Sequence, residues 1–574
     1  MKVNLISNYN NQSGLQQDVL LVRAILSSVF EKDLNIFKVH FMMPQCQEAD
    51  VNIFLEVVNP SLFPYASKNI WIPNIEWTYR TWTPYLHMFT EVWAKTHETY
   101  RILSELTPTK VRYIGWTSLD KSLPSRKNYH KAIVPVGKNI YRNPRPIFQA
   151  YMRILAKDSS LFSRLPTLHV VYDPTRQTVK VPQEIEDKVV LKENLKDGEY
   201  NDLLAECGLC ICTSLAEGFC HAVNEAMSAG CNLILSPIAP FKEDLVGEVQ
   251  VGAEFGSVLA TVDQPDCLGK LVDTDVSSLM EAIENYVDTD FKDKKIGTQS
   301  LRKVYEHRHE EWMTRMKEFL PKVLSFEKPY SLQETLPKED ELPDVSIVML
   351  TRDRRIFMPL AKYSYMIQSY PEDKLELVVV DDGDDPIEDT LIGVPNVKYV
   401  RVDTQLTIGE KRNIGVQNAM YDVIAFMDDD DVYPNNSILH RAAMLMKEPK
   451  KECAFCTTIP CYDIAKYSSF MNVPPITLEM SERVSEATLI FTRKFWEERK
   501  FEHIQIAEGN TFIRGREHMC RELSPQDVIV SLVHPKNTSS RRIPEMKEPN
   551  GCHYGFNENL FSMVSQIGLE MKNA

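Results

Sequence analysis

The chain has 574 residues, of which 43% are hydrophobic and 25% are charged, a composition typical of a soluble globular protein. Its formal net charge of −15 argues against a general nucleic-acid binder and against tight docking on anionic lipid. The sequence has no run of 18 consecutive apolar residues and no signal-peptide pattern, so we expect a cytoplasmic protein without a membrane span. At roughly 100–200 residues per domain, the length predicts three or four domains.

Short apolar runs alternate with helical stretches through the first 320 residues, which predicts parallel sheets. In residues 1–123 we predict the strand VNLIS, the amphipathic helix LQQDVLLVRAILSSVF and the strands VNIFLEVV, NIWIPN and VWAKT. In residues 124–320 the predicted strands are AIVPVGK, TLHVVYD, KVVLKEN, LCICTS and NLILSP, and a charged helix is predicted over residues 300–319. The pattern therefore predicts two successive α/β units.

A third α/β unit is predicted after a break in this pattern. Residues 321–343 are rich in proline and charge and show no apolar period, so we predict a linker there. In residues 344–574 the strand VSIVMLT is followed by the helix FMPLAKYSYMIQSY and the strands LELVVVDDG and VKYVRVD. The helix EKRNIGVQNAM and the strand DVIAFMDDDD come next.

Twelve cysteines are spread irregularly along the chain, as expected for free thiols in the cytosol. Two CxxC pairs stand out, Cys207 with Cys210 and Cys453 with Cys456. A zinc site would need a second pair or histidines at suitable spacing. Because both pairs lie in apolar, strand-like runs, we predict buried strand cysteines.

Polar residues end three predicted strands of the third unit: Thr351, the pair Asp381 and Asp382, and the run from Asp428 to Asp431. Open parallel sheets bind ligands beyond the carboxyl ends of their strands. Clustered carboxylates need a cation or hydrogen-bond donors, and a hard ion such as Mg²⁺ or Mn²⁺ suits oxygen ligands. A solvated acidic turn is the alternative.

The segments VSIVMLTRDR, LELVVVDDGDD, IGEKRNIGVQNA and VIAFMDDDDVYP resemble, in this order, the family 2 glycosyltransferases of GT-A fold. The resemblance covers residues 345–446 well. It implies transfer of a hexosyl or pentosyl group, with inversion, from a nucleotide sugar to a glycan, a glycoconjugate or another hydroxyl acceptor. The donor would be a UDP-, GDP- or dTDP-sugar.

The resemblance also implies roles for individual residues. Thr351 and Asp381 or Asp382 would hold the nucleotide base, and Arg412 would lie near the nucleotide or its diphosphate. Asp428 and Asp430 would form the DxD pair that binds Mn²⁺ or Mg²⁺, and Asp431 is a further candidate ligand of the metal.

A general base and a further ligand are expected late in the third unit. The resemblance implies an acidic base, for which Glu508 in FEHIQIAEGNTFIRGR is the candidate and Asp527 the alternative. A surface glutamate at a turn is the other interpretation of Glu508. His534, after the strand-like run VIVSLV, is a candidate for the metal or diphosphate site, although a histidine after a strand is often structural.

The N-terminal half carries CTSLAEGFCHAVNEAMSAGCNLILSP, in which seven residues separate Glu217 from Glu225. This stretch resembles the E-x7-E signature of family 4 glycosyltransferases of GT-B fold. The resemblance implies that Glu225 accepts hydrogen bonds from the donor ribose. It also implies that Glu217 and the amides of Gly218 and Phe219 contact the donor sugar.

The segment VPVGKNIYRNPRPIFQAY resembles the opening of the second Rossmann unit in the same family. Lys138 and Arg142 match its two basic positions, which neutralise the diphosphate, so this half would need no metal. The resemblance also implies that this half transfers with retention of configuration. The first loop holds only Gly14, where the family usually carries a glycine pair. A degenerate N-terminal half that only binds an acceptor or a partner is therefore the alternative.

The motifs together predict an α/β protein, with a GT-B-like pair of Rossmann units followed by a GT-A nucleotide-sugar-binding domain. The expected function is a bifunctional glycosyltransferase in glycan biosynthesis, with only the GT-A half metal-dependent. A nucleotidyltransferase is the other enzyme class considered. Such enzymes usually carry a Gly-rich loop after the first strand, which VSIVMLTRDRRIF lacks.

Overall fold

The protein is described here by a computed structural model. It describes residues 1–10, 14–43, 46–107, 109–124, 126–246, 251–326, 337–447, 450–475, 477–525, 527–537 and 556–573. The chain divides into two compact units. The first unit comprises Met1–Phe41, Ala49–Val58 and Lys68–Pro329, and the second comprises Met42–Glu48, Asn59–Ser67 and Tyr330–Ala574.

The first unit is built from parallel sheets and helices. Its strands are β1 (Lys2–Ser7), β2 (Asn35–His40), β3 (Ala49–Leu55), β4 (Ala66–Ile72), β5 (Glu91–Ala94), β6 (Lys110–Tyr113), β7 (Asn128–Gly137), β8 (Thr167–Tyr172), β9 (Val189–Glu193), β10 (Cys207–Cys212), β11 (Asn232–Leu235), β12 (Ala253–Phe255), β13 (Val258–Asp263) and β14 (Lys270–Thr274). Its helices are α1 (Gly14–Phe30), α2 (His97–Leu106), α3 (Arg145–Lys157), α4 (Ser159–Arg164), α5 (Asp197–Glu206), α6 (His221–Ser228), α7 (Val276–Asp288) and α8 (Phe291–Val323).

Two sheets organise these strands, in the orders β2-β1-β3-β4-β5-β6 and β12-β11-β10-β7-β8-β9. β1 pairs in parallel with β2 and β3, and β7 pairs in parallel with β8 and β10. β13 and β14 form a separate antiparallel hairpin. The predicted α/β class with parallel sheets is confirmed. The sequence pattern did not identify five strands of this unit, β2, β6, β12, β13 and β14.

The second unit continues the numbering. Its strands are β15 (Val345–Thr351), β16 (Leu375–Asp381), β17 (Val397–Arg401), β18 (Val423–Phe426), β19 (Cys453–Phe455), β20 (Ile459–Asp463), β21 (Ser468–Asn472), β22 (Ile490–Thr492), β23 (Cys520–Glu522) and β24 (Ser531–Val533). Its helices are α9 (Met358–Met366), α10 (Ile408–Asn418), α11 (Ser437–Met446), α12 (Arg493–Glu498), α13 (Glu508–Ile513) and α14 (Glu558–Asn573).

The main sheet of the second unit has the order β17-β16-β15-β18-β22-β19-β23. β15 lies between β16 and β18 and is parallel to both, whereas β22 pairs antiparallel with β18 and β19. The shorter sheet β21-β20-β24 is separate. The carboxyl ends of β15, β16 and β18 therefore meet at one edge of the main sheet.

The segment predicted as a linker is described only in part, because residues 327–336 lie outside the described residues. α8 continues through Pro321 to Val323, so the last helix of the first unit extends into that segment. None of the helices in the described residues is both long and apolar enough to cross a membrane.

The cysteines of both CxxC pairs are free of disulfides and buried, as predicted. Cys207 and Cys210 lie in β10 and Cys453 opens β19, whereas Cys456 follows the last residue of β19 and is not in a strand. Their side chains thus belong to the cores of the two units.

α10 lies against β15 at a glycine, and this contact is testable. A Cβ at Gly415 would overlap Cγ1 of Val348. We expect Gly415→Ala to lower the free energy of unfolding by about 1–3 kcal/mol, because extra volume is forced into a packed contact. Gln417→Ala, on the exposed face of the same helix, should change it by no more than about 0.5 kcal/mol. Urea unfolding followed by circular dichroism measures both, and equal effects would contradict the packing argument.

Candidate functional site

Strand register brings the predicted polar residues of the second unit to one sheet edge. Thr351, the last residue of β15, lies opposite Asp381, the last residue of β16. On the other side of β15, Val348 lies opposite Phe426, and the acidic run begins two residues further on at Asp428. The parallel pairing therefore gathers these residues as the sequence predicts.

The acidic run forms a compact group of carboxylates. Oxygen atoms of Asp428, Asp430 and Asp431 lie within 4.8 Å of one another. Asp430 and Asp431 are buried, and Asp428 is partly exposed. The Leu532 N–H donates to Oδ1 of Asp431 at 2.9 Å, which orients that carboxylate. Three oxygen ligands at this spacing fit a hard divalent cation.

Arg354 contacts the same run and was not identified from the sequence. Its Nη1 donates to Oδ1 of Asp429 at 2.8 Å and to Oδ2 of Asp430 at 2.7 Å. Burial raises the pKa of the Asp429 carboxyl to about 6, although the charge of Arg354 opposes that rise. Arg354 thus balances part of the charge that burial would otherwise disfavour.

The structure places His534 beside Asp430. Its Nε2 lies 3.0 Å from Oδ2 of Asp430, the oxygen that Arg354 also contacts. Burial alone would raise the pKa of Asp430, but the contacts with His534 and Arg354 hold it below its usual value. In this arrangement His534 orients a carboxylate of the group through one ring nitrogen.

Arg412 lies between two carboxylates in the interior of the second unit. Its Nε donates to Oε1 of Glu508 at 2.7 Å, and its Nη1 lies 3.8 Å from Oδ1 of Asp428. The guanidinium also lies over the Phe426 ring, with 4.3 Å between the charged carbon and the ring centroid. Only 3% of Arg412 is exposed, so the structure joins it to carboxylates rather than presenting it to solvent.

Asp381 and Asp382 have partners of their own in the structure. Asp381 is fully buried and accepts hydrogen bonds from the Gly383 and Ile387 N–H groups and from the Tyr399 hydroxyl. Asp382 accepts from Lys411 Nζ at 2.7 Å and from the Leu406 N–H at 2.9 Å. Both carboxylates therefore fix the loops beyond β16, and their role toward a nucleotide base stays a prediction.

The structure separates the two candidate bases. Glu508 opens α13 and belongs to the group formed with Arg412 and Asp428. Asp527 lies in the loop before β24 with a left-handed φ of 59°, and burial raises its pKa. Of the two, Glu508 is the one that the geometry brings to the acidic run.

In the first unit, Glu217 is tied to basic and polar neighbours. Arg142 donates to it through Nε at 2.7 Å and Nη2 at 3.3 Å, and the Ser214 hydroxyl donates at 2.8 Å. Lys138 lies instead 3.6 Å from Asp173. The two basic residues expected to neutralise a diphosphate thus each face a carboxylate.

Glu225 lies on α6 and is buried. Gln17 Nε2 donates to its Oε1 at 2.6 Å, and Lys121 Nζ lies 4.0 Å from the same oxygen. Burial raises the pKa of Glu225. Gln17 belongs to α1, so the helices of the two sheets meet at this carboxylate.

Glu76 is a buried acid of the first unit that sequence reasoning missed. Its Oε2 has no hydrogen-bond partner among the described residues, and burial with the nearby Glu217 raises its pKa to about 8. A Cβ at Gly218 would lie 2.8 Å from that oxygen and 2.5 Å from Oδ1 of Asn74, so this approach requires a glycine. Phe219, the next residue, is buried in the core.

Residues 264–269 are bonded to residues 75–80 beside Glu217. The Arg80 N–H donates to the Asp266 carbonyl at 2.8 Å, and the Leu268 N–H donates to the Thr78 carbonyl at 2.9 Å. The Gly269 N–H donates to the Ile75 carbonyl at 3.1 Å. These backbone bonds join the loop between β13 and β14 to the segment after β4.

The site residues that the sequence analysis missed differ in whether the sequence carried a signal for them. Arg354 lies in TRDRR directly after a predicted strand, so its position at the ligand edge was a usable signal. Lys411 adjoins the predicted Arg412 and was equally visible. Glu76 is a single acid in an ordinary stretch, and only tertiary packing brings it to its site.

Two family models match the chain. Residues 346–492 match Glycosyl transferase family 2, and residues 182–258 match Glycosyl transferases group 1. The second match contains Glu217 and Glu225, and the first contains Asp428–Asp431. No curated protein matches the chain.

Solved structures match a third or more of the chain at low identity. The mannosyltransferase PcManGT from Pyrobaculum calidifontis, in complex with GDP-Man and Mn²⁺, is 16% identical with a TM-score of 0.29. That match covers 37% of this chain and 62% of the other. S. aureus TarS 1-349 in complex with UDP is 20% identical with a TM-score of 0.27, over 33% and 61%. The chain thus spans about 60% of the length of these solved proteins.

The family 2 match spans the strand ends of the second unit where Asp428–Asp431 cluster, and the group 1 match spans Glu217 and Glu225 of the first unit. Parts of both units are therefore similar to glycosyltransferases.

Proposed function

We propose that the second unit transfers a hexosyl or pentosyl group, with inversion, from a nucleotide sugar to a hydroxyl group of a glycan or glycoconjugate. The donor class is a UDP-, GDP- or dTDP-sugar. The observation that carries the proposal is the group of Asp428, Asp430 and Asp431 at one edge of the main sheet. This group lies within residues 346–492, which match the family 2 model. Beside it stands the ion pair of Arg412 with Glu508.

Asp428, Asp430 and Asp431 would hold Mn²⁺ or Mg²⁺, and their clustered oxygens fit such an ion. When bound, the ion stabilises the negative charge that develops on the leaving diphosphate. Arg354 and His534 hold one oxygen of Asp430, which fixes the orientation of that carboxylate. Thr351, Asp381 and Asp382 would shape the nucleotide pocket at the neighbouring strand ends.

Glu508 would accept the proton of the acceptor hydroxyl, as inverting transfer requires. Arg412 positions Glu508 by a hydrogen bond of 2.7 Å and contacts Asp428 on its other side. The guanidinium therefore links the base to the ligand group.

A second, metal-independent transfer by the first unit is the other candidate function, favoured by the group 1 match around Glu217 and Glu225. The donor would be contacted by Glu217, Gly218, Phe219 and Glu225. The transferred sugar would retain its anomeric configuration. Lys138 and Arg142 would neutralise the diphosphate, which requires both to leave their present carboxylates. The ion pair of Arg142 with Glu217 favours the alternative, a first unit that binds without transferring.

The metal proposal predicts that Asp430→Asn abolishes transfer by the second unit. Losing several kcal/mol of transition-state stabilisation lowers the rate by roughly a thousandfold or more. Release of nucleoside diphosphate with and without Mn²⁺ measures it. Asp403→Asn removes a carboxylate that is 96% exposed and should leave the rate unchanged. Full activity of the Asp430 variant in EDTA would refute the assignment.

The base proposal predicts that Glu508→Gln lowers transfer by roughly 10²–10⁴-fold, because the amide keeps the shape but cannot take the proton. Donor binding, measured by calorimetry, should change little. Asp527→Asn is the matched control and should keep the rate. The reverse result, with only Asp527→Asn inactive, would move the base to Asp527.

The two candidate functions of the first unit, sugar transfer and binding without transfer, predict different effects of Glu225→Ala on the product. If both units transfer, mass spectrometry of the product should show one kind of sugar lost in Glu225→Ala and the other lost in Asp430→Asn. Glu281→Ala, an exposed acid on α7, is the control and should lose neither. If only one kind of sugar is transferred with every donor tested, and Glu225→Ala has no effect, the first unit binds an acceptor or a partner without transferring a sugar.

A further inference from the structure

Glu486 stands in a short turn that is bonded to the acidic run of the second unit. The turn Glu486–Thr488 precedes β22, which pairs with β18. The Tyr433 hydroxyl donates to the Ala487 carbonyl at 3.0 Å and accepts the Asp428 N–H at 2.8 Å. One tyrosine thus fixes the turn relative to the residue that opens the run.

The carboxyl group of Glu486 lies against the start of α13. Its Oε1 accepts the Gly509 N–H at 3.2 Å. A Cβ at Gly509 would lie 2.9 Å from that oxygen, so the absence of a side chain permits the approach. Glu508, the residue before this glycine, is the proposed base. Two carboxyl groups therefore flank the first residues of one short helix.

Arg412 is the cation whose charge acts on both carboxyl groups. Its Nε donates to Glu508, whereas its buried Nη1 has no hydrogen-bond partner among the described residues. The charged groups that act on Glu486 are Glu508 from α13 and Arg412 from α10, and Asp428 lies beyond Arg412. Burial and the charge of Glu508 raise the pKa of Glu486 to about 7.

We propose that Glu486 is a positioning residue for the general base: when ionised, it competes for Arg412 and thereby releases Glu508 to accept a proton. The proposal rests on the function assigned above to the second unit. Arg412 Nη1 donates no hydrogen bond among the described residues and lies 3.8 Å from Oδ1 of Asp428, so it is the donor that an ionised Glu486 would recruit. A neutral Glu486 does not attract the guanidinium, so Arg412 keeps its hydrogen bond to Glu508.

The chemical step balances without a further reactant. The acceptor oxygen forms a bond to the sugar carbon while the bond from that carbon to the phosphate oxygen of the donor breaks. The electron pair of the broken bond leaves with the diphosphate. The acceptor O–H bond breaks, and its proton passes to Glu508. Glu486 touches neither reacting atom and acts only through Arg412.

The test is the pH dependence of kcat/KM for the full chain with the donor that it accepts. In the wild type we expect a rise of roughly tenfold between pH 6 and pH 8, as Glu486 ionises. Glu486→Gln, which mimics the neutral form, should lose this rise and keep the low rate throughout. Glu486→Asp retains an ionisable group and should restore the rise.

Two outcomes overturn the proposal. One is a wild-type pH profile in Glu486→Gln, and the other is an equal, pH-independent loss in the Gln and Asp variants, which would indicate a structural role. Carboxyl ¹³C NMR of the full chain without donor supplies a readout that does not depend on transfer. Glu486→Gln should lack one of the glutamate resonances that titrate near pH 7 in the wild type, and an unchanged set of these resonances also overturns the proposal.

A second NMR measurement, of the arginine side-chain NH groups, separates this inference from the proposed function. Should no nucleotide sugar be turned over, transfer by the second unit is refuted. The competition for Arg412 is then decided by the Arg412 side-chain NH resonances. They should shift with the Glu486 titration in the wild type and stay fixed in Glu486→Gln, and an equal shift in both would refute the competition.

Discussion

The hydrogen bonds from Arg354 to Asp429 and Asp430 place a positive charge on carboxylates that the fold removes from water. Four adjacent aspartates after a buried strand repel one another, and burial adds a desolvation penalty to each charged form. Removing one partner of a buried ion pair costs about 3–5 kcal/mol, because it leaves an uncompensated charge. The carboxyl edge of the sheet thus depends on cations that reach it from other elements.

The first unit meets the same constraint with a different solution. Asp18 is buried in α1, and it contacts Lys95 at 2.6 Å, His221 at 2.9 Å and the Trp116 indole N–H at 2.6 Å. Burial opposes its charged form, yet Lys95 and His221 lower its pKa to about 2. Arg142 likewise neutralises Glu217. Because Arg142 and Lys138 are already paired with Glu217 and Asp173, an incoming diphosphate must compete with carboxylates of the protein itself.

The sequence was informative wherever a signal is local. Period-two and period-3.6 patterns predicted many of the parallel strands and several helices, because they report which face of an element is buried. The aspartate run and the spacing of Glu217 and Glu225 predicted the two ligand edges, since parallel strands bring their carboxyl ends together. The edge strands β2 and β6 are half-polar and short, so they left no such pattern.

The contacts that complete each site could not be predicted, because they join residues far apart in the chain. Glu486 meets Gly509 across 23 positions, and Gly218 approaches Glu76 across more than a hundred. Periodicity shows that a side chain is buried without showing which neighbour it meets. The antiparallel insertion of β22 between β18 and β19 is such a case, and it is this strand order that carries the Glu486 turn to the acidic run.

The course of the chain also limits how the two units can be studied. The second unit includes residues 42–48 and 59–67, which precede most of the first unit in the sequence. The turn Pro60–Tyr65 is buried throughout, and the Tyr65 hydroxyl lies 3.1 Å from the Ser524 hydroxyl of the same unit. A cut between residues 321 and 343 would remove this turn from the second unit, so a fragment made there lacks part of its own core. Substitutions within the intact chain are therefore the sound way to assign an activity to each unit.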